Sequence, residues 1–233
     1  MKKELEVLLT DLALAYAQSD IKQYCARHHV QWHYELLTSP LVANRPLIVG
    51  FNWGARADYV FNAPTCINAE DFLKQDLASL RRVVPYLSRF LGDDELTAIS
   101  QSNICFFRSQ RASQISTHDL QLCQPIFARL VAILKPSYLI GFSAQLKASL
   151  CQQDLLEDIQ TTAIRWQSGT RTLTYTACKA YLKGVGRIYF LPHPNYPLPR
   201  AAREQAWAFC FANTHSSFAL EASAPDQHVG WAE

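Results

Sequence analysis

Three short segments of this 233-residue chain hold polar side chains suited to chemistry at the ends of apolar runs. They are Gly50-Phe51-Asn52-Trp53-Gly54, Ser102-Asn103, and His193 within Leu191-Pro-His-Pro194. An amide takes up no proton near neutral pH, so Asn52 suits orienting a water rather than acting as a base. Asn103 carries an acceptor and two donors on one planar group, enough for paired hydrogen bonds with the edge of a flat heterocycle. The prolines around His193 fix φ and remove two backbone donors, which holds the imidazole on a stiff loop as a proton donor. Each residue also has a plainer reading. A glycine-flanked Asn is commonly a turn residue, a strand-end Asn bonds the nearby backbone, and histidine is an ordinary loop residue.

The elements that would position these residues follow from hydrophobic periodicity. Pro46–Gly50, Asn103–Phe107, Tyr138–Phe142 and Arg187–Leu191 read as short buried strands. Thr162–Trp166 and Thr170–Ala177 flank Ser168-Gly169 as a hairpin. Helices are expected over Lys2–Gln18, from Asp20 (which would cap Ile21 onward), over Glu70–Phe90 with Pro85 as a kink or restart, over Asp119–Leu134, and over Arg200–Ala212. Strands alternating with helices predict an α/β protein whose central, mostly parallel sheet is covered on both faces, with ligands gathering at the carboxyl ends of the strands. The chain reads as one domain over residues 1–233, with a helical preface at 1–40 and an acidic tail at 219–233 that is either disordered or laid over a basic face.

Taken together and in order, the segments resemble the uracil-DNA glycosylase superfamily. GFNWG is similar to that family's first motif in its Asn-bearing form, HPNYPLP to its His-Pro-Ser-Pro-like second motif, and SNICFF to the strand whose Asn reads the base. LCQPIFARLVAILKPSYLIGFSAQL is similar to a helix, Lys-Pro and strand of the iron-sulfur branch, and the likeness spans Pro46 to Phe211. The resemblance implies a three-layer α/β/α fold and hydrolysis of the N-glycosidic bond of a base flipped out of DNA, leaving an abasic site. It makes Asn52 the water-positioning residue, His193 the donor to the departing base, and Asn103 the base reader. It also implies an aromatic stacking face, with Phe61 nearest the place and Phe51 and Tyr59 close to it. Asn195, Tyr196 and Leu198 would stand on a loop that enters the duplex, and Arg200 and Arg203 would hold phosphates.

Two departures bear on the base. Trp53 stands where many relatives have Pro and would alter the pocket wall, and Asn195 replaces a Ser. A deaminated, uracil-like base is therefore one reading. A modified pyrimidine excised from phage DNA as a defence is a second, and a catalytically silent DNA-binding module a third.

With 49% hydrophobic and 18% charged residues, the chain is neither disordered nor fibrous. A net charge of +2 hides a segregation: Ile159 to Arg203 and Leu96 to His118 contain no Asp or Glu. The first stretch holds Arg165, Arg171, Lys179, Lys183, Arg187, Arg200 and Arg203, and the second holds Arg108 and Arg111. On one shared face they would attract DNA; apart, they are ordinary solvated charges. The seven cysteines are scattered singly, and acids interrupt the apolar N-terminal stretch. A reducing, cytoplasmic setting is expected, with no membrane span and no obligatory protein partner. No CxxC pair occurs, and the local cluster His28, His29, His33 near Cys25 lacks further ligands at zinc-like spacing, so neither metal nor cofactor is expected. No Lys is placed as a Schiff-base nucleophile, which favours a monofunctional hydrolase.

Overall fold

The computed structural model describes residues 1–37, 42–55, 83–92 and 99–212. Its frame is a six-stranded sheet in the order β2-β1-β3-β6-β5-β4, formed by β1 (Leu47–Gly54), β2 (Ser100–Ser109), β3 (Leu139–Gly141), β4 (Leu156–Ser168), β5 (Arg171–Leu182) and β6 (Gly186–Phe190). β2, β1, β3 and β6 run parallel, while β5 and β4 form an antiparallel hairpin on the β6 edge. The parallel strands are apolar runs because both of their faces are covered. Alternation does the sorting: Leu47 and Val49 enter one core cluster and Ile48 the other.

On the first face lie α1 (Lys2–Gln18), α2 (Asp20–His28), α4 (Thr117–Leu134) and α5 (Ala144–Gln152), through Leu5, Leu8, Leu12, Ile21, Phe127, Leu130 and Leu146. The opposite face is covered by α3 (Val84–Phe90) and α6 (Arg200–Phe211), where Leu87, Trp207 and Phe211 meet Ile48 and Ile140. The result is the expected three-layer α/β/α architecture. Among the described residues no helix is long and apolar enough to cross a membrane.

Several boundaries differ from the sequence reading: β1 continues past Gly50 to Gly54 and β2 begins at Ser100 instead of Asn103, because the two strands pair beyond their apolar runs, so Asn52 and Asn103 lie within strands and not at their ends. Ser19 caps α2 by accepting from Lys22 N, which makes Asp20 the first helical residue instead of the cap. Pro85 lies in the first turn of α3, where its missing donor costs nothing. Most of the helix expected over Glu70–Phe90 falls outside the described residues, as does the 219–233 tail. α5, which the sequence reading left unassigned, is set by Ser143 accepting from Leu146 N.

A buried carboxylate is one of the ties that hold the preface to the rest. Asp119 is fully buried; its Oδ1 accepts from Asp20 N (2.9 Å) and Ile21 N (3.3 Å), and its Oδ2 from Ser116 N (3.0 Å). One side chain thus caps α4 and docks the start of α2. Asp119→Ala would leave these N–H groups buried without acceptors and is expected to cost about 3 kcal/mol, with Asp119→Asn costing about half as much. Urea denaturation monitored by circular dichroism checks the order, and equal stability of all three proteins would contradict it.

Candidate active site

The parallel register fixes where the loops begin. Val49 is level with Ser102 on one side and Gly141 on the other, and Gly141 is level with Phe190. One step later Gly50 is level with Asn103, and Leu191 N donates to Gly141 O at 2.9 Å as β6 ends. Gly50, Asn103 and Leu191 therefore lie just past the level where β3 and β6 end, while β1 and β2 go on pairing to Gly54 and Ser109. Asn52 follows two residues after Gly50, still within β1, and His193 follows two residues after Leu191, on the loop beyond β6. With about 4.8 Å between strands, β1 and β6 stand roughly 10 Å apart with β3 between them.

At Asn52 the ladder bulges: Asn52 is level with Cys105, while Trp53 is level with Arg108. The amide is held on its donor side only. Nδ2 donates to Trp53 O (2.9 Å) and to Ser109 Oγ (2.8 Å), and Ser109 Oγ donates onward to Arg111 O (2.8 Å). No described residue donates to its Oδ1, so this carbonyl oxygen is the group left to accept from a water.

Asn103 is 3% exposed, and its Nδ2 is buried with no hydrogen-bond partner among the described residues. A buried orphan amide costs free energy and calls for an explanation. Its neighbour supplies part of one: a Cβ at position 50 would lie 2.0 Å from Asn103 Oδ1. Glycine at 50 is what lets the amide lie across the end of β1.

His193 opens a four-residue turn in which Tyr196 N donates to His193 O at 2.8 Å, with Pro194 pre-set at the second position. Inside this turn Asn195 N donates to His193 Nδ1 at 3.1 Å. That bond makes Nδ1 the acceptor, so Nε2 carries the proton of the neutral ring. Arg203 reaches up from α6, 6% exposed, and donates to Pro192 O (3.1 Å), His193 O (3.3 Å) and Tyr196 O (2.8 Å). Although one edge of the imidazole reaches solvent, partial burial lowers the His193 pKa below 6.5, and the Arg203 charge lowers it further.

Several expected roles are replaced by others. Leu198 is no duplex-entering wedge: it is 9% exposed and packs with Ile164, Ala177, Ala202 and Ala206. Arg203 holds the turn rather than a phosphate, because its donors are spent on carbonyls. Arg108 ion-pairs with Glu35, donates to Gly54 O and lies over the Trp53 ring, which takes it away from a phosphate-binding role. Burial raises the Glu35 carboxyl pKa despite that pairing. Trp53 is buried and donates from Nε1 to Glu35 O (2.5 Å), bracing the strand from the preface side instead of walling a pocket. Phe51 belongs to the core. Arg200 pairs with Glu204, Arg111 is exposed beside the Ser109 contact, and Asn195 and Tyr196 are exposed on the turn. Phe61 and Tyr59 lie outside the described residues.

Unanticipated from sequence were Ser109, Glu35 and the part played by Arg203, whose significance comes from residues distant along the chain. Cys105 and Cys123 meet with sulfurs 4.0 Å apart in the core, and among the described residues no group of three or more metal-binding side chains gathers. Of the clustered histidines, His28 packs on Tyr24 and His33 on Tyr16 and Tyr34. Set against known protein families and curated proteins, the chain matches none.

The turn sets its own test. Long-range nitrogen NMR is expected to show His193 protonated at Nε2 alone, with a midpoint below 6.5. Because the folded value is lowered, the contribution of this ring to stability is complete above pH 6.5 and is lost as pH falls from there through the folded midpoint. A midpoint at or above 6.5, or a proton on Nδ1, would contradict the described turn.

Proposed function

We propose that this protein is a monofunctional DNA glycosylase of the uracil-DNA glycosylase type, hydrolysing the N-glycosidic bond of a deaminated or otherwise modified base flipped out of DNA. The observation that carries the reading is the buried Asn103 amide, without a hydrogen-bond partner among the described residues and level with Gly50, two residues before Asn52. An amide with a spare donor is what an acceptor on a base edge would satisfy. The proposed setting is the cytoplasm, in keeping with the six described cysteines all being free thiols.

Cleavage of the bond places positive charge on the sugar and negative charge on the leaving base. His193 Nε2–H is the donor to that growing anion, already oriented by Asn195 and by the turn. Arg203 contributes twice: its charge disfavours imidazolium, and the same charge favours an anion in front of the ring. Asn52 Oδ1 accepts from the attacking water, which is needed only once the bond is largely broken. Its proton is then shed to solvent, since the amide does not take it.

The deciding assay is base release, with mass spectrometry of the freed base, from oligonucleotides containing uracil, hypoxanthine or xanthine and from phage DNA carrying modified pyrimidines. His193→Ala is expected to slow release about a hundredfold while leaving DNA affinity nearly unchanged. Release should hold level at neutral pH and fall with acidification, because a proton on Nδ1 opposes Asn195 N–H and frees the turn. Asn52→Ala should slow release about tenfold, and Asn52→Asp should not restore it, since a carboxylate oxygen would face the Trp53 carbonyl. Undetectable turnover on every substrate with DNA binding intact would make the chain a binding module.

A separate variant addresses base reading. Gly50→Ala should displace the Asn103 amide and raise KM for the damaged strand by about tenfold, comparable to Asn103→Ala. Unchanged kinetics in both variants would remove Asn103 from the site.

A further inference from the structure

The preface does more than cover one face of the sheet. Its extended segment His33–Leu37 lies antiparallel along the edge of β2 away from β1, with Tyr34 level with Phe107 and Leu37 level with Ser102. β2 needs that partner. Between the levels Asn52↔Cys105 and Trp53↔Arg108, Phe106 and Phe107 have no residue of β1 opposite them. The backbone there is taken up on the other side: Glu35 N donates to Phe106 O at 2.9 Å, and Arg108 N donates to His33 O at 2.8 Å. A bulge re-aims the side chains beside it, and the residue at the edge of this one is Asn52.

Glu35 is where the segment reaches across to β1. Its carbonyl oxygen accepts from Trp53 Nε1 at 2.5 Å, and its carboxylate pairs with Arg108. Arg108 in turn donates from Nη1 to Gly54 O at 2.9 Å and lies over the Trp53 ring, with Cζ 5.7 Å from the ring centre. The two residues after Asn52 are thus held from the preface side, one by its ring and one by its carbonyl. Asn52 Nδ2 donates to Trp53 O at 2.9 Å and to Ser109 Oγ at 2.8 Å. One of these acceptors belongs to a clamped residue, and the other to the residue that follows Arg108. The Glu35 and Arg108 side chains are 28% and 17% exposed, so the pair is largely withdrawn from screening by solvent and salt.

We propose that Glu35 is a positioning residue of the candidate site: through Arg108 and Trp53 it sets where the Asn52 amide points, and so where the attacking water stands. Glu35 touches neither base nor water, and its effect passes through Asn52. The effect on base release rests on the glycosidic reading, whereas the effect on the amide does not. A loosened clamp lets Trp53 O and Ser109 Oγ drift apart, and an amide held by one acceptor turns about its broad terminal torsion. Its Oδ1 then meets the water in only part of the molecules, a loss that falls on kcat and not on substrate binding.

Two readouts on the full chain test this. In nitrogen–proton NMR the Asn52 side-chain amide protons, assigned by their loss in Asn52→Ala, are expected to exchange with water about fivefold faster in Glu35→Ala, the equivalent of one net hydrogen bond. In base release, Glu35→Ala should lower kcat about fivefold with KM unchanged, and Glu35→Gln, whose side-chain oxygen still accepts from Arg108, should recover most of that loss. Added to Asn52→Ala, Glu35→Ala should cost nothing further, because the group it positions is gone. If Glu35→Ala does not fold, Arg108→Lys takes its place with the same expected results, since a lysine cannot bridge Gly54 O and the carboxylate as the guanidinium does. Unchanged amide exchange, a loss carried by KM, or an additive loss in the double variant overturns the proposal. Absence of base release from every substrate removes the glycosidic reading alone, and amide exchange then decides the clamp.

Discussion

The hydrogen bond from Leu191 N to Gly141 O, at 2.9 Å, ends the pairing of β6 with β3 and determines where the chain leaves the sheet. Pro192 and Pro194 supply no donor, so the ladder cannot extend past this point and the next residues must turn. On the other side of β3, β1 holds the same register through Leu47↔Leu139 and Val49↔Gly141. Asn52, still within β1, and His193, 141 positions later on the loop after β6, thereby stand toward one end of the sheet. A slip of one residue in either strand would turn Gly50 to the opposite face and bury the Asn103 amide against a side chain.

Register brings the loops together, but it does not make them stiff. At His193 that falls to Arg203, a buried guanidinium whose donors meet three carbonyls of the turn. A planar fork of five donors suits this task, where a lysine would offer a single point charge. The tie has an electrostatic consequence: a cation fixed behind the imidazole keeps the ring neutral and makes the space ahead of it favourable to negative charge. Structure and chemistry are coupled through one residue. Its removal would disturb both and could not be read as the loss of a phosphate contact.

The strands were legible because the parallel ones are buried on both faces and so appear as bare apolar runs bounded by Gly, Pro or Asn. The hairpin was legible because Ser168-Gly169 interrupts two β-branched, aromatic-rich segments. The strand ends were less legible: β1 runs on through Asn52 to Gly54 and β2 starts at Ser100, ahead of Asn103, because the two strands pair past their apolar runs. What could not be read was which partner each long side chain would find. Arg108, Arg200 and Arg203 look alike in an acid-free or acid-poor stretch, yet one meets Glu35, one Glu204 and one a set of carbonyls. Leu198 and Tyr196 are neighbours on a proline-rich loop, but α6 passes beneath one and not the other. Such outcomes depend on contacts from elements far along the chain, and local pattern does not encode them.

The bonding at position 52 also indicates how the chemistry would divide. Both acceptors that hold the Asn52 amide, Trp53 O and Ser109 Oγ, are matched to N–H donors, because the Ser109 proton is already given to Arg111 O. An aspartate there would set one oxygen against a carbonyl and the other against a hydroxyl lone pair, so the surroundings select the amide over the carboxylate. The amide carries no charge to favour the positive sugar. On the proposed reading, the stabilisation a carboxylate would have given must come from the other end of the breaking bond, where a neutral His193 would face the departing base with Arg203 behind it. The two ends of the site thus answer one another: an uncharged water holder on β1 calls for a strong, preorganised anion side on the β6 loop, and the three carbonyl bonds of Arg203 are what keep that side in place.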